Sequence, residues 1–189
     1  MILSHLEAFG SVPDLVLSGI NPGLNTGRST LHSGTVGAVL TAQNFGSKGI
    51  AVSLHSDDAI LPWFWDSAAD AAEACIGIME KAKPKTVLNV NVPGLPTNAV
   101  KGLKWARLAP FGSQRSHLKK DREGNLNFDL VDTQFEPDKE TDLGLVRSGY
   151  TAVSVLKGIS PGRPSEAEYG DDLTEQFSFL ESAVEYLMR

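Results

Sequence analysis

The sequence predicts an α/β protein of one domain, built on a parallel sheet. Three observations carry that class. The apolar run Leu15-Val16-Leu17 leads through a glycine-rich loop into a segment of helical period from about Thr35, and a second apolar run, Gly49 to Leu54, follows. That order is strand, loop, helix, strand, and a βαβ unit implies parallel pairing. The alternation then continues with a helix over 66–82 and a third strand at Thr86 to Val92. Finally, 189 residues are enough for one sizeable core with an appendage. The expected organisation is a single domain over 1–189, with an α/β core at 1–100, strands and a hairpin at 101–160, and a bend and helix at 161–189.

Taken in order, the opening MILSHLEAFGSVPDL reads as the end of an amphipathic helix, because Ile2, Leu3, Leu6 and Phe9 recur at helical spacing and Gly10 can terminate it. Pro13 and Asp14 lead into a short strand, Leu15 to Ser18. In the next helix Val36, Val39 and Leu40 share a face and Gly46 marks the stop, after which Gly49 to Leu54 reads as a fully buried strand. The helix over 66–82 turns Ala68, Ala72, Cys75 and Met79 inward. Trp63 and Trp65 precede it; they either stack on a base or pack at the helix entrance, and packing is the ordinary role of such rings. Pro93 stops the third strand.

Beyond Pro96 the pattern changes to shorter strands at Leu103 to Leu108, Gln114 to Lys119 and Leu126 to Leu130. Asp121-Arg122-Glu123-Gly124-Asn125 between the last two is a hairpin turn. A hairpin protruding from an α/β core reads as an oligomer contact or a lid rather than a catalytic element. Gly149 to Leu156 is a further strand, and Pro161-Gly162-Arg163-Pro164 a rigid bend. Leu173, Phe177, Leu180, Val184 and Leu187 then alternate at steps of four and three, the spacing of an amphipathic C-terminal helix. Asp171-Asp172 near its start read as caps rather than metal ligands.

A formal net charge of −6 argues against a nucleic-acid polymer as partner, since such binding needs a concentrated basic surface. A small anion is still admissible, held by oriented backbone donors. Cys75 is the single cysteine, which excludes a disulfide within the chain and a cysteine-based zinc site and fits a reducing cytoplasm. No apolar run reaches membrane-spanning length, so no membrane partner is expected.

The chemistry concentrates in SGINPGLNTGRSTLHSGTVGA, residues 18–38, which holds five glycines, two asparagines and many hydroxyls but no acid and no cysteine. A loop leaving the carboxyl end of a parallel strand and entering a helix is where open α/β proteins bind ligands. Ser33-Gly34-Thr35 stand at the helix start with two hydroxyls and successive backbone N–H groups, a phosphate-binding arrangement, although Ser33 or Thr35 can equally serve as a helix cap. Asn21 and Asn25 add an amide oxygen suited to a hard cation and an amide N–H suited to phosphate. His32 adjoins the loop and could protonate a leaving oxygen, and Arg28 is either a ligand contact or a solvated charge. His5, His55 and His117 have no partner motif.

Gly19-Ile20-Asn21, Gly23, Asn25 and Ser33-Gly34-Thr35-Val36-Gly37-Ala38 resemble the signature of the SurE (survival protein E) family. Further matches follow in order at Ile50-Ala51-Val52-Ser53-Leu54, Leu88-Asn89-Val90-Asn91-Val92-Pro93, Thr141-Asp142 and Gly149-Tyr150, so the resemblance covers nearly the whole chain. It implies a Rossmann-like core and a metal-dependent 5'- or 3'-nucleotidase that hydrolyses nucleoside monophosphates with Mg2+ or Mn2+, assembled as a homodimer or homotetramer. By the same resemblance Asn21 is a metal ligand, while Asn25, Ser33, Gly34 and Thr35 bind the phosphate. A metal polarising the phosphoryl oxygen, with donors taking up its charge, is the chemistry such residues serve.

The family's Asn-Asp-Asp-Gly strand, which supplies two metal-binding aspartates, has no match in these 189 residues. Asp57-Asp58 and Asp171-Asp172 lie outside the matched motifs. The expectation is therefore an N-terminally incomplete domain with no catalytic residue of its own and impaired phosphatase activity; the alternative is an inactive phosphate- or nucleotide-binding scaffold.

Overall fold

A computed structural model describes residues 1–55, 62–132 and 136–159. Met1–Gly158 forms one unit and Ile159–Arg189 another. In the first, the elements run α1 (Ile2–His5), β1 (Leu15–Pro22), a 3-10 turn (Gly27–His32), α2 (Gly34–Asn44), β2 (Lys48–Leu54), α3 (Trp65–Glu80), β3 (Val87–Val92), β4 (Leu103–Trp105), β5 (Gln114–Lys120), β6 (Leu126–Asp132), α4 (Asp142–Arg147) and β7 (Thr151–Leu156).

The main sheet has the order β1-β2-β3-β7-β4. β1, β2 and β3 are parallel, as the βαβ alternation predicts. The second half departs from the expected parallel sheet: β7 is antiparallel to β3, and β4 is parallel to β7. Chain length explains the reversal. Only Pro93 to Gly102 separate β3 from β4, and a parallel return needs a crossover of a dozen or more residues. The chain turns back instead, leaving a strand's width between β3 and β4 that β7 fills.

Two helices cover the two faces. On one, Ala68, Ala72, Cys75 and Met79 of α3 pack on Ile50, Val52, Leu54, Leu88, Val90, Val92 and Val153. These are the four helix residues that the periodicity turns inward, and full burial of each large aliphatic among the partners contributes roughly 1.5–3 kcal/mol. Burial pushes the Cys75 thiol up to about 11, so it behaves as a core residue. On the other face, Val36, Val39 and Ala42 of α2 meet Val16, Ala51, Val87 and Leu156. Trp63 packs against the α3 core with its ring 5.0 Å from that of Trp65, which stays exposed.

Several expectations change. The N-terminal helix ends at His5, with Leu6 as its C-cap, rather than at Gly10, because Glu7 takes a left-handed conformation at φ 60°, and Ile2, Leu3, Leu6 and Phe9 stay exposed. The strand expected at Leu103 to Leu108 stops at Trp105, with one isolated bridge from Arg107 to Thr141 beyond it. The short helix α4 was not legible in the periodicity; Thr141 caps it by accepting the Gly144 N–H at 3.2 Å. The hairpin β5–β6 forms a separate two-stranded sheet, with Asp121 accepting from the Glu123 and Asn125 N–H groups at its turn. The bend and C-terminal helix at 161–189, Asp171-Asp172 and Asp57-Asp58 lie outside the described residues.

Candidate functional site

The glycine-rich loop starts from an irregularity in β1. Ser18 pairs with Ala51 and Asn21 with Ser53, so Gly19 and Ile20 together face Val52. Two residues opposite one make a bulge, and a slip of one residue moves every following side chain to the other face. Strict alternation would put Asn21 on the α3 face; the bulge sets it on the α2 face beside Ser53. Gly19 is required there, since its φ is +127° and a Cβ would strike the Val52 carbonyl. Ser53 pairs in turn with Asn91, which lines up Asn21, Ser53 and Asn91 across the carboxyl ends of β1, β2 and β3.

Asn25 descends onto this row. Its N–H donates to Asn91 Oδ1 at 2.8 Å, its carbonyl accepts from Asn89 Nδ2 at 2.8 Å and Asn91 Nδ2 at 3.2 Å, and its own Nδ2 donates to Ser53 Oγ at 2.7 Å. All four residues are buried. Each bond nets only about 1 kcal/mol, but breaking one strands a buried polar group at about 1–3 kcal/mol. That asymmetry explains why two asparagines alternate within the buried strand β3: they form a polar floor that accepts a loop backbone.

A second fastening comes from Asp142, fully buried at the first position of α4. It accepts the Gly27 N–H at 2.8 Å, the Ala109 N–H at 2.9 Å and the Leu143 N–H at 2.8 Å. Burial holds its carboxyl above the ordinary range, against the opposing pull of those N–H donors. Gly27 sits at φ +53°, so close under the Ala109 and Phe111 carbonyls that no side chain fits.

Beyond the 3-10 turn, Ser33 is the N-cap of α2 and accepts the Val36 N–H at 3.1 Å. The cap reading therefore holds for Ser33. It does not consume the site, because the Ser33 hydroxyl keeps its proton, and the Gly34 and Thr35 N–H groups at the helix start have no intrahelical acceptor. Gly34 is exposed and Thr35 half-buried. The structure thus gathers the predicted residues into two groups: Asn21 and Asn25 meet at Ser53, and Ser33, Gly34 and Thr35 open α2. Arg28 and His32 are exposed in the intervening turn.

Asn21 Nδ2 donates to the Gly23 carbonyl at 2.6 Å, and among the described residues nothing donates to its Oδ1. A divalent cation would find one neutral amide oxygen there, whereas Mg2+ needs carboxylates besides. No group of three or more His, Cys, Asp or Glu able to hold a metal occurs among the described residues, so these residues do not complete such a site. No described helix is long and apolar enough to cross a membrane.

Asn89, Asn91 and Asp142 are the residues whose part in the site the residue pattern alone did not reveal. The signal was present as asparagine at alternate positions of an otherwise apolar strand, a pattern that costs stability unless both amides are used.

The family model described as "Survival protein SurE" matches residues 2–115. The chain is 36% identical over 149 residues to "5'-nucleotidase SurE" of Symbiobacterium thermophilum, covering 75% of this chain and 56% of the relative. It is 36% identical over 162 residues to the protein of the same description from Stenotrophomonas maltophilia, covering 81% and 62%. With that of Legionella pneumophila it shares 32% over 155 residues, covering 80% and 61%. The crystal structure of the SurE protein from Aquifex aeolicus superposes with a TM-score of 0.62 at 28% identity, covering 89% of this chain and 66% of that one. The chain thus spans about three fifths of the curated relatives it matches. A βαβ core with its donor loop fastened at the strand ends, and relatives of one description matched over most of these residues, lead to one conclusion: the chain belongs to the survival protein SurE family.

Proposed function

We propose that this chain carries the phosphate-binding half of a metal-dependent 5'/3'-nucleotidase acting on nucleoside monophosphates. The observation that supports it most is the start of α2, where the Gly34 and Thr35 N–H groups and the Ser33 hydroxyl stand together at the end of the fastened loop. A helix N-terminus of this kind attracts a phosphate dianion without a net positive charge. Asn25 contributes its second Nδ2 hydrogen, and Asn21 offers Oδ1 to Mg2+ or Mn2+, which when bound supplies Lewis-acid polarisation of the phosphoryl oxygen. The chain's own residues bind and orient phosphate; none of them is assigned the proton transfer or the attack. A cytoplasmic homo-oligomer is the form we assign to it.

An inactive phosphate- or nucleotide-binding scaffold is the second reading. It is favoured by one fact: among the described residues no group of three or more His, Cys, Asp or Glu able to hold a metal occurs. The two readings separate in a paired assay of phosphate release from AMP with Mn2+, run on the 189-residue chain and on a version extended at its N-terminus by the Asn-Asp-Asp-Gly strand of a relative. We expect activity only in the extended form and its loss on Asn21→Ala. Comparable metal-dependent turnover by both forms would show that the acids lie elsewhere in this chain, and no turnover by either would leave the scaffold reading.

A further inference from the structure

Three buried polar atoms take no part in the fastening of the donor loop. Among the described residues Asn89 Oδ1, Ser154 Oγ and Thr26 Oγ1 have no hydrogen-bond partner, although each of these residues is exposed by 2% or less. A buried polar atom left alone is destabilising, and native proteins hold few of them. Three at one place point to a shared partner.

The topology gives them one place. Asn89 of β3 and Ser154 of β7 are paired in an antiparallel ladder, so their side chains leave the same face with Cβ atoms about 4.5–5.5 Å apart. Two residues towards one side, Val87 and Leu156 belong to the cluster under α2. Two residues towards the other along β7, Ala152 packs with Leu145 and Val146 of α4. The pair therefore stands in a seam where cover by α2 gives way to cover by α4. The donor loop crosses that seam. The Asn25 carbonyl is held on β3 by Asn89 Nδ2 at 2.8 Å, and the Gly27 N–H is held by Asp142 of α4 at 2.8 Å. Thr26, the residue between them, thus lies on the β7 side of Asn89, where Ser154 stands.

The chemistry of the three atoms restricts what joins them. Asn89 has committed Nδ2 to the loop, so its Oδ1 can only accept, whereas the Ser154 and Thr26 hydroxyls can each donate or accept. An acceptor in the set repels an anion. A cation would need its charge offset, and the buried carboxylate of the described residues, Asp142, already takes three N–H groups. Ser154 and Asn89 are opposite one another as donor and acceptor yet do not bond, which leaves room for a small third partner that donates and accepts at once. Water has that character, and a buried water typically makes about three hydrogen bonds.

We propose that one structural water is bound in this seam, donating to Asn89 Oδ1 and accepting from the Ser154 and Thr26 hydroxyls. It makes Thr26 a further point at which the donor loop is held, between Asn25 on β3 and Gly27 on α4, and it ties the loop to β7, a strand that none of the direct bonds from Asn25 or Gly27 reaches.

The test joins a crystal structure of the intact 189-residue chain to urea unfolding of Thr26→Val, Ser154→Ala and the double variant. We expect an ordered solvent peak within about 2.7–3.2 Å of all three atoms, with no anomalous signal there after a thallium(I) soak. Valine keeps the shape of threonine and loses only its hydroxyl. Each single substitution should lower the folding equilibrium constant roughly three- to tenfold, and the double variant should lose less than the product of the two, because both hydroxyls serve one molecule. A direct Ser154–Asn89 hydrogen bond, the lack of any peak, a peak that leaves out Thr26, or a thallium signal would each overturn the proposal. So would a single substitution that stabilises the chain, the result expected if the hydroxyl had no partner to lose. If a variant does not fold, the crystal structure of the parent decides alone.

Discussion

Asp142 joins three segments far apart in sequence, since its carboxylate takes N–H groups from Gly27, Ala109 and its own neighbour Leu143. Asn at this position keeps the volume but replaces one acceptor oxygen with a donor that meets other donors. Asp142→Asn should therefore cost about 1–3 kcal/mol, the penalty for a buried N–H left without a partner, measured by urea unfolding. Its pH dependence has a definite sign. Burial raises the folded-state value of Asp142, so the folded chain holds that proton more tightly than the unfolded chain does. The contribution of Asp142 to stability then falls as pH climbs from the ordinary carboxylate range through the raised value, and levels off above it. Comparing unfolding free energies of the two proteins across that window should show this slope in the parent and not in Asp142→Asn. In the sequence an aspartate at a helix start reads as a dipole or cap residue; nothing local says that its partners come from positions 27 and 109.

At the scale of elements, the β1 bulge decides which face Asn21 occupies. Gly19→Ala adds a Cβ where φ is +127° and the Val52 carbonyl already lies. We expect a loss of at least about 1–3 kcal/mol, the cost of holding a non-glycine residue in such a conformation, and with it a lowered phosphate affinity in titration, because the loop would lose its register. An unchanged melting temperature would contradict that account. The elements themselves were largely legible. Apolar runs located β1, β2, β3 and β7, and the inward face of α3 was read residue by residue. The bulge was not legible, because a two-against-one pairing depends on the partner strand and a single strand carries no mark of it. The N-terminal helix shows the converse error, where correct apolar spacing lacks a surface to pack on and the helix stops after His5.

For the whole molecule, the parallel half of the sheet followed from alternation of strand and helix, and the antiparallel half did not, because the reversal at β3 is decided by the length of the connection to β4. The hairpin poses the question of assembly. Every residue of β5 is exposed, and Leu118, Phe128 and Leu126 share one side of the ribbon, with Leu118 opposite Phe128 in register. A lone two-stranded ribbon is marginal in water, and apolar side chains at 61% and 62% exposure gain from being covered. We expect light scattering to give the mass of a homodimer or homotetramer, and the double substitution Leu118→Asp and Phe128→Asp to lower it with the far-UV spectrum unchanged. A monomer at high concentration would sink this expectation.

The fastening of the donor loop bears on how its sequence can drift. Asn25 is gripped largely through its own N–H and carbonyl, and Gly27 through its N–H, while the side chains that grip them belong to β2, β3 and α4. Main-chain atoms are common to every residue except proline at the nitrogen. The exposed loop positions Arg28, Leu31 and His32 can accordingly be replaced without loosening the loop, whereas a change at Asn89, Asn91 or Asp142 would loosen it from a distance. Selection for a new ligand could therefore rewrite the rim of this site while its foundation, held in the strands and α4, stays fixed.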